Sequence, residues 1–294
     1  MPTYGQPLPL QNAVTKYSAQ SVQGTAVAPA TSLGIGLAGY RKVSNRRLFR
    51  GPGAANPVAA KQGSTVHEWA LRYAAAQTGV KSFLLQSVRS GGVLPYFTLG
   101  VGYEDDTSPT SVKGMRQIRD AQINTLDLSF NGENGVADLS VNASGHGGLG
   151  TDLTSVSRAT LTSAPWTTAE CVITKATVAF PMAAFQVNVN HNISTDYLIP
   201  GAAPGSFQFG PSYFTPHGEA ITGSITLYQS LGIDLHANTV TEQTLLLVLT
   251  SVDDSTVLTI SLPNCSFGEE QQQQSENGIR WTCPFESRGP WSLT

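Results

Sequence analysis

Charge is scarce in this chain. Asp, Glu, Lys and Arg make up only 13 % of 294 residues, with a formal balance of -3. A protein that grips nucleic acid by neutralising phosphates needs a surplus of Lys and Arg on one face, so any DNA partner would have to be accommodated without being clamped. Cysteine is scarce too: Cys171, Cys265 and Cys283 form an odd set without metal-type spacing and read as packed thiols. Long apolar runs are also lacking. No stretch approaches the ~20 apolar residues of a membrane span, and MPTYGQPLPLQNAV has no basic start followed by an apolar core. The chain is therefore expected to be made and kept in a cytoplasm, with no membrane partner.

Catalytic patterns fail on inspection. Gly34, Gly36 and Gly39 spell GxGxxG, but APATSL before them is a poor strand and YRKVSNRR after them a poor amphipathic helix, so a dinucleotide site lacks its context. His67 and Glu68 begin a zinc-protease pattern that Leu71 breaks, since a second imidazole is needed there. Glu104, Asp105 and Asp106 are either an exposed turn or a calcium-type loop. His146 lies in GHGG with no nucleophile elbow nearby, and the five histidines are dispersed. The reading is a non-enzyme without cofactor or metal.

What is abundant is turn and strand material: 29 Gly, 17 Pro, and long stretches of Ser, Thr, Asn, Val, Leu and Ile. The expected fold is mainly β, a sandwich or barrel with one flanking helix, arranged as an extended arm (1–60), a first β domain (61–150) and a second (151–294). The arm has little periodicity and carries Arg41, Lys42, Arg46, Arg47 and Arg50, either a solvated basic loop or a contact with an acidic surface on a neighbouring subunit. The helix is placed over Ser64 to Gln77: Thr65 and Glu68 have capping-box spacing, Val66, Trp69, Ala70 and Tyr73 trace a stripe, and Gly79 follows as a stop.

Period-two alternation begins at Lys81. Leu126, Leu128 and Phe130 alternate with Thr125, Asp127 and Ser129. After the turn NGENG, Leu139 and Val141 alternate with Asp138, Ser140 and Asn142, giving a hairpin with one buried and one wet face. The construction returns where Phe185, Val187 and Val189 alternate with Gln186, Asn188 and Asn190, and Ile221, Ile225 and Leu227 with Thr222, Ser224 and Thr226. These strands are joined by a long segment, Ile193 to Gly218, whose aromatics Tyr197, Phe207, Phe209, Tyr213 and Phe214 form either a protein contact surface or a lid on the core. Gly145 to Trp166 reads as a linker. Leu245 to Thr250 and Thr256 to Leu262 read as a hairpin, Glu269 to Gln274 as a solvated loop tip, and Gly278 to Phe285 as a final strand.

The order of these features resembles the major tail tube proteins of long-tailed bacteriophages: the basic arm, the helix, INTLDLSFNGENGVADLSVNASG, then ITGSITLYQ and TVLTISLPNCSFGEE...IRWTCPFES, from about Leu33 to Ser287. The resemblance implies a structural virion protein of the tail, assembled in the host cytoplasm. Its inner strands would join those of neighbours into a barrel, and its arms and loops would lock ring to ring. It also implies partners: further copies of the chain in stacked rings, a tape-measure protein, and viral DNA passing without sequence-specific binding. Rings in that family are hexamers of one domain or trimers of a doubled one, and the repeated hairpin favours the trimer. On this reading Thr125, Asp127, Ser129, Asp138, Ser140, Asn142, Gln186, Asn188, Asn190, Thr222, Ser224 and Thr226 line the lumen. Otherwise they form an ordinary solvent face. The basic cluster and the aromatic loop would carry contacts between subunits. Two alternatives stand beside it: another virion β protein, such as a decoration or tail-terminator subunit, and a carbohydrate-binding module using Trp166, Trp281 and Trp291 as stacking platforms.

Overall fold

Alternating apolar and polar side chains make a ribbon that can bury one face only, and this chain solves that problem by pairing nearly all its ribbons into one sheet. A computed structural model describes residues 13–25, 27–34, 37–50, 52–53, 59–74, 77–105, 108–132, 135, 137–147, 156–157, 166–175, 177–196, 213–228, 243–250, 257–275 and 278–294. In chain order the elements are β1 (Ala13–Gln20), β2 (Thr31–Gly34), β3 (Leu37–Phe49), β4 (Ala59–Ala74), α1 (Gln77–Leu84), β5 (Tyr96–Asp105), β6 (Ser108–Asn131), β7 (Ala137–Gly147), β8 (Val156–Ser157), β9 (Cys171–Lys175) and β10 (Val178–Phe180). They continue as β11 (Ala184–Asn190), β12 (Ile193–Asp196), β13 (Tyr213–Pro216), β14 (Ala220–Tyr228), β15 (Gln243–Thr250), β16 (Val257–Phe267), β17 (Gln271–Ser275), β18 (Gly278–Ser287) and β19 (Ser292–Leu293). The protein is mainly β with one short helix, and all strands but β12 and β13 belong to a 17-stranded antiparallel sheet.

The sheet folds over on itself. One wing runs β4, β7, β6, β11, β14, β18. Beyond Cys265, β16 pairs with the end of β18 and leads into the second wing of β16, β15 and β9. Leu126, Leu128, Phe130, Phe185, Val187, Val189, Ile221 and Ile225 of the first wing and Ile173, Leu247, Leu249, Leu258 and Ile260 of the second are buried in the same core. The ladders also cross the boundary drawn at 150/151, because β11 pairs with β6 from Asn190 opposite Thr125 to Ala184 opposite Asn131.

Strand β6 ties the regions together. Its first half pairs with β5 and its last seven residues with β11. Near the end of the β5-paired stretch, which runs to Ala121, Asp120 adopts a left-handed conformation (φ 52°) and is buried, its Oδ1 accepting from the Gln20 side chain (3.0 Å) and from Gly24 N–H (2.7 Å). A left-handed residue inside a strand marks a bulge, and the register against β7 shifts at the same place.

Four segments differ from expectation. Residues 64–74 are strand, not helix: β4 pairs with β3 on one side and β7 on the other. Trp69, Leu71 and Tyr73 fit period two as well as the stripe fits period 3.6, and pairing on both edges decides between them. The helix, Gln77–Leu84, begins at the residue where the expected one ended; Val80, Phe83 and Leu84 are buried and Gly79 is inside it, not its stop. Of Glu269 to Gln274, expected as a loop tip, the residues from Gln271 on belong to strand β17, paired with β18. Within the segment read as an extended arm, β1 pairs along its whole length with β5, and Tyr17 lies edge-on to Phe83 at 5.1 Å. Thr15, Lys16 and Tyr17 are all buried, so β1 is covered on both faces, and desolvation pulls the Lys16 pKa below its ordinary value. The segment read as a linker begins inside β7 and ends at Trp166, which is fully buried.

Candidate functional site: a polar sheet face

The two hairpins expected from alternation both form, and they lie side by side. Register then fixes the rows. Arg72, Ser140, Asp127, Asn188, Thr222 and Glu286 stand opposite one another across six strands. Asp138, Ser129, Gln186, Ser224 and Pro284 form the next row, and Asn142, Thr125 and Asn190 another. Thr226 stands opposite Ala184 and Thr282. The twelve residues expected to line a lumen thus occupy one face of one wing. Side chains of Arg72, Asp138, Ser140 and Asn142 are outside the described residues, so these four are placed by register alone.

Described side chains on this face are half-buried or exposed, and several bond to each other. Gln186 Nε2 donates to Asp127 Oδ2 at 2.9 Å, and the Thr226 and Thr282 hydroxyls are 3.0 Å apart. Satisfied locally, such groups offer few free donors to a passing phosphate. Sequence reasoning missed how far the face extends. Arg72 and Glu286 join the Asp127 row, and Arg280 stands opposite Tyr228, its guanidinium 5.3 Å from that ring centre. The signal was present in β18, where Thr282, Pro284 and Glu286 alternate with the inward Cys283 and Phe285. With these additions the face holds Asp127, Asp138 and Glu286 against Arg72 and Arg280, a mildly acidic balance.

The floor beneath the face is tightly closed at one point. Gly223 lies between Val187 and Phe285, and a Cβ there would meet Gln186 O and the Phe285 ring at 2.3 Å. The Phe285 ring covers the glycine and stacks on Phe185 at 6.0 Å.

At one end of the face the chain leaves the sheet for β12 and β13. A buried clasp holds that exit. His191 is fully buried with Nδ1 2.9 Å from Glu219 Oε1, and Arg89 Nε is 3.8 Å from the same oxygen. Arg89 also donates to His217 O, Asn192 Nδ2 donates to Gly218 O (2.7 Å), and Asn124 Oδ1 accepts from Ile193 N–H (3.0 Å). Of the loop aromatics, Tyr213 and Phe214 belong to β13 with side chains outside the described residues; Tyr197, Phe207 and Phe209 lie outside them altogether.

The basic cluster is a strand edge. Arg41, Lys42, Arg46 and Arg47 belong to β3 and Arg50 follows it. Arg41, exposed, donates through Nε to Glu68 Oε2 at 2.8 Å; Arg50 is exposed; the side chains of Lys42, Arg46 and Arg47 are not described. Beyond His67, paired with Gly145, the β3–β4 hairpin continues past the end of β7.

Other candidates are dispersed. Gly34 ends β2 and Gly39 lies inside β3, so no helix follows the GxGxxG turn. His67 is in β4, His146 in β7, and Glu104 and Asp105 end β5, with Asp106 outside the described residues. Cys265 and Cys283 are buried and Cys171 half-buried, none of them in a disulfide; burial pushes Cys171 up to about 12 and Cys283 to about 11. Trp166 and Trp291 are buried in the core and Trp281 is half-buried. Among the described residues no three His, Cys, Asp or Glu side chains converge as a metal site, and no helix is long and apolar enough to cross a membrane. Comparison with protein-family models and with curated proteins finds no match to this chain.

Proposed function

We propose that this chain is a structural subunit of a phage tail tube, that copies of it form stacked rings, and that its polar face lines a channel through which DNA passes without being held. The observation that carries this reading is the polar face itself: six strands in one register, rich in Ser, Thr, Asn and Gln, with few cations. An ordinary solvent face is sprinkled with Lys and Glu. This one is uniform, hydrogen-bonded within itself and mildly acidic, so it repels phosphate weakly and offers it little to bind. Burial of Trp166 and Trp291 removes two of the three rings that a glycan-binding surface would use.

Geometry supports the ring size. Along the row of Arg72 and Glu286 the polar wing is eight strands wide, from Leu37 of β3 to Ser266 of β16. At ~4.8 Å per strand, three copies set about 24 strands around about 115 Å, a bore of about 37 Å between backbones. Two copies give about 24 Å between backbones, which inward side chains on both walls would close to a duplex. Threefold is therefore the smallest workable ring. The proposed place of action is the virion tail, with the tape-measure protein as the occupant before DNA.

Electron microscopy of the purified chain at rising concentration, with mass by light scattering, tests this. Hollow tubes or stacked threefold rings are the expected result. A persistent monomer, or a single closed ring that never stacks, would overturn it, the latter in favour of a terminator or decoration role.

A further inference from the structure

We propose that the half-open cavity where the chain crosses from β10 to β11 is a binding site for a small, neutral aromatic molecule of one or two rings. The inference concerns a single chain and does not rest on the ring reading above.

The cavity follows from how the chain changes wings. β10 adjoins β9 of the second wing and ends at Phe180, while β11 begins at Ala184, opposite Asn131 at the end of β6 in the first. Pro181, Met182 and Ala183 make the crossing. Ala183 is fastened on both sides, its carbonyl accepting from Gly132 N–H (2.8 Å) and its own N–H donating to Thr226 O (2.7 Å). Walls held by ladders relax only partly onto a gap, and a cavity of about 210 Å³ remains, with Phe130 of the first wing on its wall together with Cys171 and Phe180.

The lining selects the ligand. The two phenyl rings, the Pro181 ring and the Met182 thioether, which packs against the core, offer ring faces and a polarisable sulfur. The one polar side chain on the wall is the Cys171 thiol, which burial keeps protonated, and none of the lining residues is charged. The N–H groups of Gly132 and Ala183 are already engaged. Water there finds few partners and an ion finds nothing to balance it, whereas a flat apolar molecule meets carbon and sulfur. An apolar cavity of about 150 Å³ accepts benzene, so this one has room for a second fused ring.

The same backbone pairing disfavours a peptide as the occupant. An aromatic side chain delivered by another protein brings main-chain groups that need partners, and Gly132 N–H and Ala183 N–H have theirs within the chain.

The test uses the full chain at low concentration, with indole as the probe. Equilibrium dialysis should show one saturable site per chain, with indole-3-carboxylate held at least about tenfold more weakly because nothing on the wall balances its charge. Ala183→Leu fills the cavity from a buried position and should weaken indole binding by more than about tenfold, with near-ultraviolet circular dichroism confirming the fold. A readout on the native chain stands whether or not that variant folds. Saturating indole should slow iodoacetamide alkylation of Cys171 at pH 8 by more than about fivefold relative to Cys283, which is not on the cavity wall. No saturable binding, equal affinity for the carboxylate, or protection shared evenly by the two thiols would overturn the assignment. Binding that disappears once copies are concentrated enough to associate would give the cavity to a neighbouring chain, and would overturn it as well.

Discussion

The two outer faces of the folded-over sheet share one core and differ in chemistry. On the β6–β11–β14 wing the outward residues are Thr, Asp, Ser, Gln and Asn, several bonded to each other. On the β9–β15–β16 wing they include Val172, Leu246 and Val248 beside Thr174, Thr259 and Ser261, with Val172 48 % exposed and Val178 of the adjoining β10 67 % exposed. Both kinds of face build a stable sandwich. Burial alone therefore does not choose between a polar, cation-poor face and a β-branched one; on the proposed reading the difference lies in what each face meets. The first suits an aqueous channel, the second a packed neighbour or plain solvent.

The largest effect should come from the floor shared by the two faces. Gly223→Val places side-chain atoms where Gln186 O and the Phe285 ring already sit, and should cost about 3 kcal/mol in denaturant unfolding. A cost below about 0.5 kcal/mol, the range of ordinary surface changes, would mean the floor yields and the polar face is not held rigidly.

Next in size is a change of function without a change of fold. Asp127→Lys with Asn188→Lys puts two cations into one row of the face and should leave unfolding within about 1 kcal/mol while tubes begin to retain duplex DNA at low salt and lose it steeply as salt rises. Val172→Lys with Val178→Lys on the other wing should do neither. If the second pair also retained DNA, the contrast between faces would collapse.

A smaller effect reports on the thiols. Folded Cys171 and Cys283 hold their protons to about 12 and about 11, against an ordinary thiol value of 9.0. Above pH 9.0 the native chain thus binds more protons than the unfolded one, and stability falls as pH rises. Replacing both with Ala should flatten that decline between pH 9.0 and about 11, checked by urea midpoints across the range. Slow alkylation of both thiols at pH 8, by mass spectrometry, is the companion expectation, at about a tenth of the free-thiolate level or less.

Alternation carried most of what was legible. Leu126 against Asp127, Val187 against Asn188 and Ile225 against Thr226 each declare a face, and two-faced strands must share a core on the apolar side. What alternation does not encode is which strand lies next to which. That β11 joins β6 just beyond a bulge at Asp120, where a left-handed aspartate accepts from Gln20 and Gly24 about 100 positions earlier, has no local signal. Residues 64–74 were misread for a related reason. A helical stripe and a strand face coincide over a short window, and the arbiters, β3 and β7, lie elsewhere in the sequence. The clasp of Arg89, His191 and Glu219 had no local signal, because its members come from three connections between strands.

The burial of β1 has a consequence in time. β1 is synthesised well before β5: Ala13 pairs with Tyr103, about 90 positions later, so at ~5 to 20 residues per second the strand waits several seconds on the ribosome for β5. During that wait Lys16 is hydrated and charged, which keeps a bare strand from recruiting others. The desolvation that Lys16 suffers in the finished fold is the cost of that protection. Protease sensitivity of β1 in chains stalled before and after β5 would show it as a step from open to closed.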